Sequence, residues 1–156
     1  MAKFQLWTDG SSNVNTGIGG WAFCVLKGDE TLCEEQSAPA DATTNNRMEL
    51  QAVIEGLKRF DPATAEVTVY SDSGYVVNCF NKRWYIKWRR NGWISGDGRV
   101  KNVDLWNELL GIAESFKKPI TWKLVKGHAD HIWNNRCDVL AGGARKKREA
   151  ELKDAL

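Results

Sequence analysis

The sequence predicts an α/β domain on a five-stranded mixed sheet, an antiparallel meander followed by two parallel strands. Three observations carry this. Residues 3–37 fall into three short apolar runs separated by glycine-rich or charged turns. Near residue 46 the hydrophobic period changes from about 2 to about 3.6. From residue 66 onward, strand-like and helix-like runs alternate.

In order, residues 3–9 read as the first strand, with Phe4 and Leu6 alternating against polar neighbours. A turn rich in glycine and asparagine occupies 10–20. Residues 20–27 and 31–37 are the second and third strands, joined across Gly28-Asp29-Glu30. Residues 46–60 form a helix, because Leu50, Val53, Ile54 and Leu57 follow the i, i+3, i+4, i+7 spacing, and Asp61-Pro62 stops it. Residues 66–71 are the fourth strand, followed by a short helix near 73–80. The next helix covers 103–116, with Leu105, Trp106, Leu109, Ile112, Ala113 and Phe116 on one side. Residues 119–125 are the fifth strand and 134–146 the last helix.

The 156 residues suit one domain, and no repeat, linker or low-complexity tract divides them. A domain over 1–146 is expected, with a charged, fraying helical extension at 147–156. No run approaches a membrane span and no export signal opens the chain, so a cytoplasmic monomer without a membrane partner is expected. Cys24, Cys33, Cys79 and Cys137 have neither C-x-x-C nor zinc-ligand spacing and read as free thiols. A net charge of +2 is too small to announce a nucleic-acid partner, but basic clusters stand at 82–90 and 145–148. Three of the eight tryptophans, at 84, 88 and 93, lie in or beside the first cluster.

Four carboxylates fall at element ends. Asp9 closes the first strand and Asp72 directly follows the fourth, so the two stand side by side if those strands are neighbours. Glu49 lies in the first turn of the first long helix, on the face of Val53, Gly56 and Phe60. Asp138 stands early in the last helix, between Cys137 and Leu140. Each has a plain alternative. Asp72-Ser73-Gly74 suits a helix N-cap, Asn46-x-x-Glu49 a capping box, Asp9-Gly10 a hairpin turn, and Asp138 the positive end of a helix dipole. If the four converge, their mutual repulsion calls for divalent cations, and an all-oxygen donor set points to Mg²⁺ or Mn²⁺. Two such ions roughly 3.5–4 Å apart activate a water and stabilise the leaving oxygen of a phosphodiester.

Several segments resemble ribonuclease H of type I, in family order. They are Thr8-Asp9-Gly10-Ser11, Thr43-Thr44-Asn45-Asn46-Arg47-Met48-Glu49-Leu50, Ser71-Asp72-Ser73-x-Tyr75-Val76, Lys101-Asn102-Val103-Asp104-Leu105-Trp106, and Val125-Lys126-Gly127-His128-Ala129 with Asn134-x-Arg136-Cys137-Asp138. The resemblance implies a ribonuclease H-like fold with helices on both faces of the sheet. It implies a metal-dependent endonuclease that cuts the RNA strand of RNA–DNA hybrids, leaving 3′-hydroxyl and 5′-phosphate ends. Metal ligands are then expected at Asp9, Glu49, Asp72 and Asp138, holding two ions when substrate is bound, with His128 as a loop histidine for proton transfer or product release. Gly10, Ser11 and Asn15 match the turn that meets the RNA strand, where the 2′-hydroxyl separates RNA from DNA. Asn45 and Asn46 match minor-groove contacts and Thr44 part of a pocket for a DNA phosphate.

The segment from Asn81 to Trp93 resembles the basic protrusion of the bacterial branch, expected over about 81–100. Lys82, Arg83, Lys87, Arg89 and Arg90 would grip phosphates there. Trp84 and Trp88 share a helical face and either meet substrate or pack the lobe onto the domain. The chain departs from the family at Thr16 and Ile18, where prolines are common, at Gly74, which often is a glutamine, and at Asp130, usually a glycine. Two other readings compete: a hybrid-binding module without catalysis, against which the four carboxylates speak, and a DNA-processing nuclease on the same fold.

Overall fold

A computed structural model describes residues 1–126 and 131–156. In chain order its strands are β1 (Ala2–Ser12), β2 (Gly19–Lys27), β3 (Leu32–Ala40), β4 (Ala65–Ser71), the two-residue β5 (Ile94–Ser95) and β6 (Gly98–Arg99), and β7 (Thr121–Leu124). Five of them form the main sheet, in the order β3-β2-β1-β4-β7. The first three pair antiparallel, while β4 runs parallel to β1 and β7 parallel to β4. The meander and the two parallel strands expected from the sequence are both present.

Alternation along β1 and β2 sends side chains to two cores. Leu6, Phe23 and Val25 join Leu50, Val53, Ile54 and Leu57 of α1 (Asn45–Leu57) on one face. Val76, Val77 and Cys79 of α2 (Gly74–Asn81) extend that core. After α3 (Trp84–Arg90), the helix α4 (Val103–Glu114) adds Leu105, Trp106 and Leu109 to it. Trp7, Cys24 and Leu26 point the other way and pack against Cys137 of α5 (Ile132–Asp154). Helices thus cover both faces, because each strand of the centre is apolar on both sides. Among the described residues, no helix is long and apolar enough to cross a membrane.

The boundaries differ from the sequence reading in ways with physical causes. β1 does not end at Asp9 but runs on to Ser12, because Ser11 and Ser12 stay in register with Gly20 and Gly19. α1 ends at Leu57, ahead of Asp61-Pro62. α5 begins at Ile132 and continues without a break through residue 146 to Asp154. The charged extension is therefore ordered helix rather than a fraying end. Arg148 forks onto Asp41 at 2.9 and 2.7 Å, which ties it to the end of β3. Between α2 and α4, the short α3 and the β5–β6 hairpin are further elements that the sequence pattern did not separate.

Two glycines fix how closely the helices seat. A Cβ on Gly56 would meet the Leu6 side chain at 2.6 Å, and one on Gly20 would run into the Ala141 carbonyl of α5. Neither site has room for a side chain, so α1 and α5 press directly against β1 and β2.

Candidate active site

The parallel pairing of β1 with β4 places Leu6 opposite Val69 and Trp7 opposite Tyr70. Two steps further along the same register stand Asp9 and Asp72. α1 crosses the same end of the sheet, and a Cβ on Gly10 would meet the Glu49 amide nitrogen at 2.5 Å. The absence of a side chain at Gly10 is what lets α1 bring Glu49 to the strand. The Gly10 amide then donates to two carboxylates at once, Glu49 Oε1 at 2.7 Å and Asp9 Oδ1 at 2.9 Å. Asp9, Glu49 and Asp72 each offer a carboxylate oxygen within 4.8 Å of the others, a spacing able to hold a metal ion.

Each plain alternative for these residues fails on geometry. Asp9 is followed by further strand, not by a hairpin turn. The N-cap of α1 is Thr44, whose hydroxyl accepts from the Arg47 amide at 3.3 Å; Glu49 is the fifth residue of the helix, beyond its first turn, and serves Gly10 instead. Ser73, rather than Asp72, caps α2 by accepting from the Val76 amide. Asp138 stands beyond the first turn of α5. It is exposed and outside the close triplet, but its negative charge adds to the pressure on Asp9.

The electrostatics follow from burial. Asp9 is 5% and Glu49 4% exposed, so neither charge is well hydrated. Desolvation, with the charges of Asp72 and Asp138, pushes the Asp9 carboxyl up to about 7. Burial and the adjacent Asp9 raise Glu49 well above the ordinary range. Glu49 Oε2 is buried without a hydrogen-bond partner among the described residues. A buried acceptor left open, two carboxyls that resist ionisation and a set of hard oxygens fit a divalent cation. Asp9, Glu49 and Asp72 are the residues that would hold it, with Asp138 at the rim.

A pH dependence of stability follows. Asp9 has a folded value near 7 against an ordinary 3.8, so protonation favours the folded state. That contribution is fully present below the unfolded value and is lost as pH rises through about 7. The metal-free protein is expected to melt several degrees lower at pH 8.5 than at pH 5.5, on the order of 2–3 kcal/mol. Adding a divalent cation at pH 8.5 should restore the difference. A melting temperature that rises over this pH range without metal would contradict the coupling.

The remaining site residues separate into groups. Thr44, Asn45 and Asn46 are exposed at the N-terminus of α1, about one helical turn before Glu49. The Gly10 amide donates to the two carboxylates, which places Gly10 against the metal-site candidates. Ser11 Oγ accepts from Arg145 Nε at 3.0 Å, and Asn15 is exposed at the turn. His128 and Asp130 lie outside the described residues.

In the lobe, Lys82, Arg83, Lys87 and Arg90 are exposed and form no ion pair with any described residue. Arg89 is not free for a phosphate: its guanidinium forks onto Glu114 of α4 at 2.7 and 2.8 Å. Trp88 packs edge-on against buried Trp106, with ring centres 5.5 Å apart, and Trp84 and Trp93 flank it at 6.1 Å. Of the two roles open to Trp88, packing the lobe onto the domain is the one its contacts fill.

Sequence reasoning did not single out Arg47, whose guanidinium reaches Asp104 at 3.0 and 2.8 Å and Asn102 at 3.2 Å, tying α1 to α4. It counted Arg145 in a basic cluster but passed over its pairing with Glu149. Their i, i+4 spacing with opposite charges was the available signal.

Comparison with known proteins gives a consistent family. A family model described as RNase H matches residues 1–146. A ribonuclease H of Thermoanaerobacter sp. (strain X514) is 48% identical over 139 residues, covering 88% of this chain and 86% of that protein. One from Caldanaerobacter subterraneus subsp. tengcongensis is 44% identical over 149 residues, 94% of each chain. Among solved structures, LC9-RNase H1, a type 1 RNase H with the type 2 active-site motif, superposes with a TM-score of 0.80 at 28% identity. It matches over 94% of this chain and 74% of its own.

Proposed function

The chain belongs to the ribonuclease H family, and on that footing we propose that it is an endonuclease cutting the RNA strand of RNA–DNA hybrids with two divalent ions at Asp9, Glu49, Asp72 and Asp138. The observation that carries this reading is the convergence of Asp9, Glu49 and Asp72 from three separate elements, with one buried oxygen of Glu49 left open. Bound Mg²⁺ or Mn²⁺ supplies a water activated for attack and stabilisation of the leaving oxygen, giving 3′-hydroxyl and 5′-phosphate ends.

The chain's own residues do the rest. The Gly10 amide holds Asp9 and Glu49 in a fixed relation before anything binds. The exposed start of α1, with Thr44, Asn45 and Asn46, faces substrate beside Glu49, and a helix N-terminus suits a phosphate. The turn with Ser11 and Asn15 meets the RNA strand. His128 follows β7 in the chain and takes the role of moving a proton or releasing product. The protein acts as a cytoplasmic monomer in this reading.

The test is a hybrid labelled separately on each strand, incubated with Mg²⁺ and with chelator. RNA fragments alone, and only with metal, are expected. Cutting of the DNA strand, or binding without cutting, would overturn the proposal in favour of one of the two competing readings. A further expected result concerns the basic protrusion. Replacing Lys82, Arg83, Lys87 and Arg90 by alanine should weaken hybrid binding and flatten its salt dependence, by about one unit of the log–log slope for each phosphate no longer neutralised. An unchanged slope would remove the protrusion from the interface. Arg89→Ala should instead loosen the lobe from α4.

A further inference from the structure

The turn between β1 and β2 lacks proline, and its only positive φ is at Gly17 (73°); within it, Asn13 Oδ1 accepts from the Asn15 amide at 2.9 Å and the Thr16 hydroxyl from the Ile18 amide at 3.2 Å. Its backbone closes through the Asn13 and Gly17 amides, which donate to the Ile18 and Asn13 carbonyls at 2.9 and 2.8 Å. What fixes it against the domain comes from far along the chain. Glu149 Oε2 accepts from Asn13 Nδ2 at 3.0 Å and from the Thr16 hydroxyl at 3.4 Å. Glu149 Oε1 takes the Arg145 guanidinium at 2.5 Å, and Arg145 Nε donates to Ser11 Oγ. One ion pair on α5 therefore holds Ser11 at the end of β1 and Asn13 and Thr16 of the turn that follows it.

The base of this clamp is rigid. α5 sits on Gly20 so closely that a Cβ there would run into the Ala141 carbonyl and come within 2.9 Å of the Arg145 amide nitrogen. The Arg145 and Glu149 side chains are only about a fifth exposed, so water competes weakly for their hydrogen bonds. The far side of the turn leads to the other candidate substrate-binding segment, because the Thr43 amide donates to the Gly17 carbonyl at 2.8 Å, just ahead of the Thr44 cap. Displacing the turn thus moves both the Ser11–Asn15 segment and the start of α1.

We propose that the Arg145–Glu149 pair positions the β1–β2 turn for the RNA strand, making Glu149 a positioning residue for substrate binding; this rests on the proposed meeting of that turn with RNA. The charged extension of α5 then has a function in recognition that runs through the turn. Both arginines of this stretch of α5 are engaged within the fold, Arg145 by Glu149 and Ser11, Arg148 by Asp41.

The experiment compares the wild-type chain with Glu149→Ala, Glu149→Gln and Glu151→Ala, reading hybrid kinetics and amide exchange across residues 13–18. Glu149→Ala should raise KM about three- to tenfold with kcat nearly unchanged, and should speed exchange at the Asn13 and Gly17 amides. Glu149→Gln keeps an oxygen for Asn13 and Thr16 and should recover most of the KM. Glu151→Ala, which removes only a partner of Arg148 at 3.7 Å, should behave as wild type. If Glu149→Ala leaves KM and exchange unchanged while the wild type cleaves hybrid, the inference fails and the functional reading stands. If kcat falls with KM and Glu149→Gln rescues neither, the role is merely structural and the inference fails. If the wild type itself does not cleave hybrid, exchange alone reports on the clamp, and it is the functional reading that falls.

Discussion

Asp9→Asn is expected to lower cleavage of the RNA strand by about a hundredfold to a thousandfold, and to raise the melting temperature of the metal-free protein. The two effects have one cause. Asp9 is buried beside Glu49 and Asp72, with Asp138 near enough to be felt, and its charge is kept where the fold gains nothing from it. Asparagine keeps the shape and an oxygen for the Gly10 amide, so the local structure survives, but it removes the charge needed to hold a cation. Losing one preorganised electrostatic partner typically costs about 10²–10³ in rate, and Asp9, like Glu49, touches both Gly10 and the neighbouring carboxylates. Relief of repulsion should raise the melting temperature by roughly 3–8 °C at pH 8, an effect on the order of 1–3 kcal/mol. The gain should shrink at pH 5.5, where Asp9 of the wild type is already protonated. A variant that keeps a tenth of the activity, or one that melts lower than wild type at pH 8, would show that Asp9 is an ordinary structural carboxylate.

Trp106→Ala is expected to cost about 3–5 kcal/mol of stability, the range for emptying a large aromatic site in a packed core. Trp106 is fully buried. It packs obliquely with Tyr75 and Phe80, takes the edge of Trp88, and donates its indole N–H to the Tyr75 hydroxyl at 2.9 Å. That hydroxyl also accepts from Asn102 Nδ2 at 3.1 Å, at the left-handed residue that opens α4. Removing the ring therefore leaves a cavity, takes one donor from the Tyr75 hydroxyl and removes the buried ring that Trp88 packs against. Urea unfolding should show the loss, and Trp106→Phe should recover part of it. Destabilisation below about 1 kcal/mol would mean that the neighbouring aromatics collapse into the space. Because Trp88 loses its support, and Trp93 leans on Trp88, hybrid affinity should weaken before the chemistry of the carboxylates is affected.

The expectations from sequence held where a single period or register decides the outcome. Alternation in β1 and β2 identified the central strands, and the i, i+3, i+4, i+7 spacing identified α1 with the correct inward residues. Asp72 was placed directly after the fourth strand, and its adjacency to Asp9 needed only the pairing of β1 with β4, although β1 runs on past Asp9 to Ser12. What pattern does not encode is which partner a polar group chooses. The sequence offered Asn46 as the cap of α1, but the helix begins one residue earlier and Thr44 caps it. Arg89 looked like a solvent-facing cation until α4 brought Glu114 beside it. The extension of α5 read as charged and loose because its anchors, Asp41, Asn13 and Thr16, lie more than a hundred residues earlier. The β5–β6 hairpin is two residues on each strand, too short for any periodicity to mark.

The central place of β1 has a kinetic consequence. Its partner on one side, β2, is supplied across a short turn, but on the other side Ala2 must find Ala65 and Trp7 must find Tyr70. Closing so long a loop costs entropy before any pairing offsets it, so the meander with α1 is expected to assemble early and β4 with β7 late. In the interval one edge of β1, carrying Leu6 and Trp7, is an unpaired apolar strand that a second chain can extend. Refolding yield should therefore fall with protein concentration, a vulnerability set by topology and independent of the carboxylates at the strand's far end.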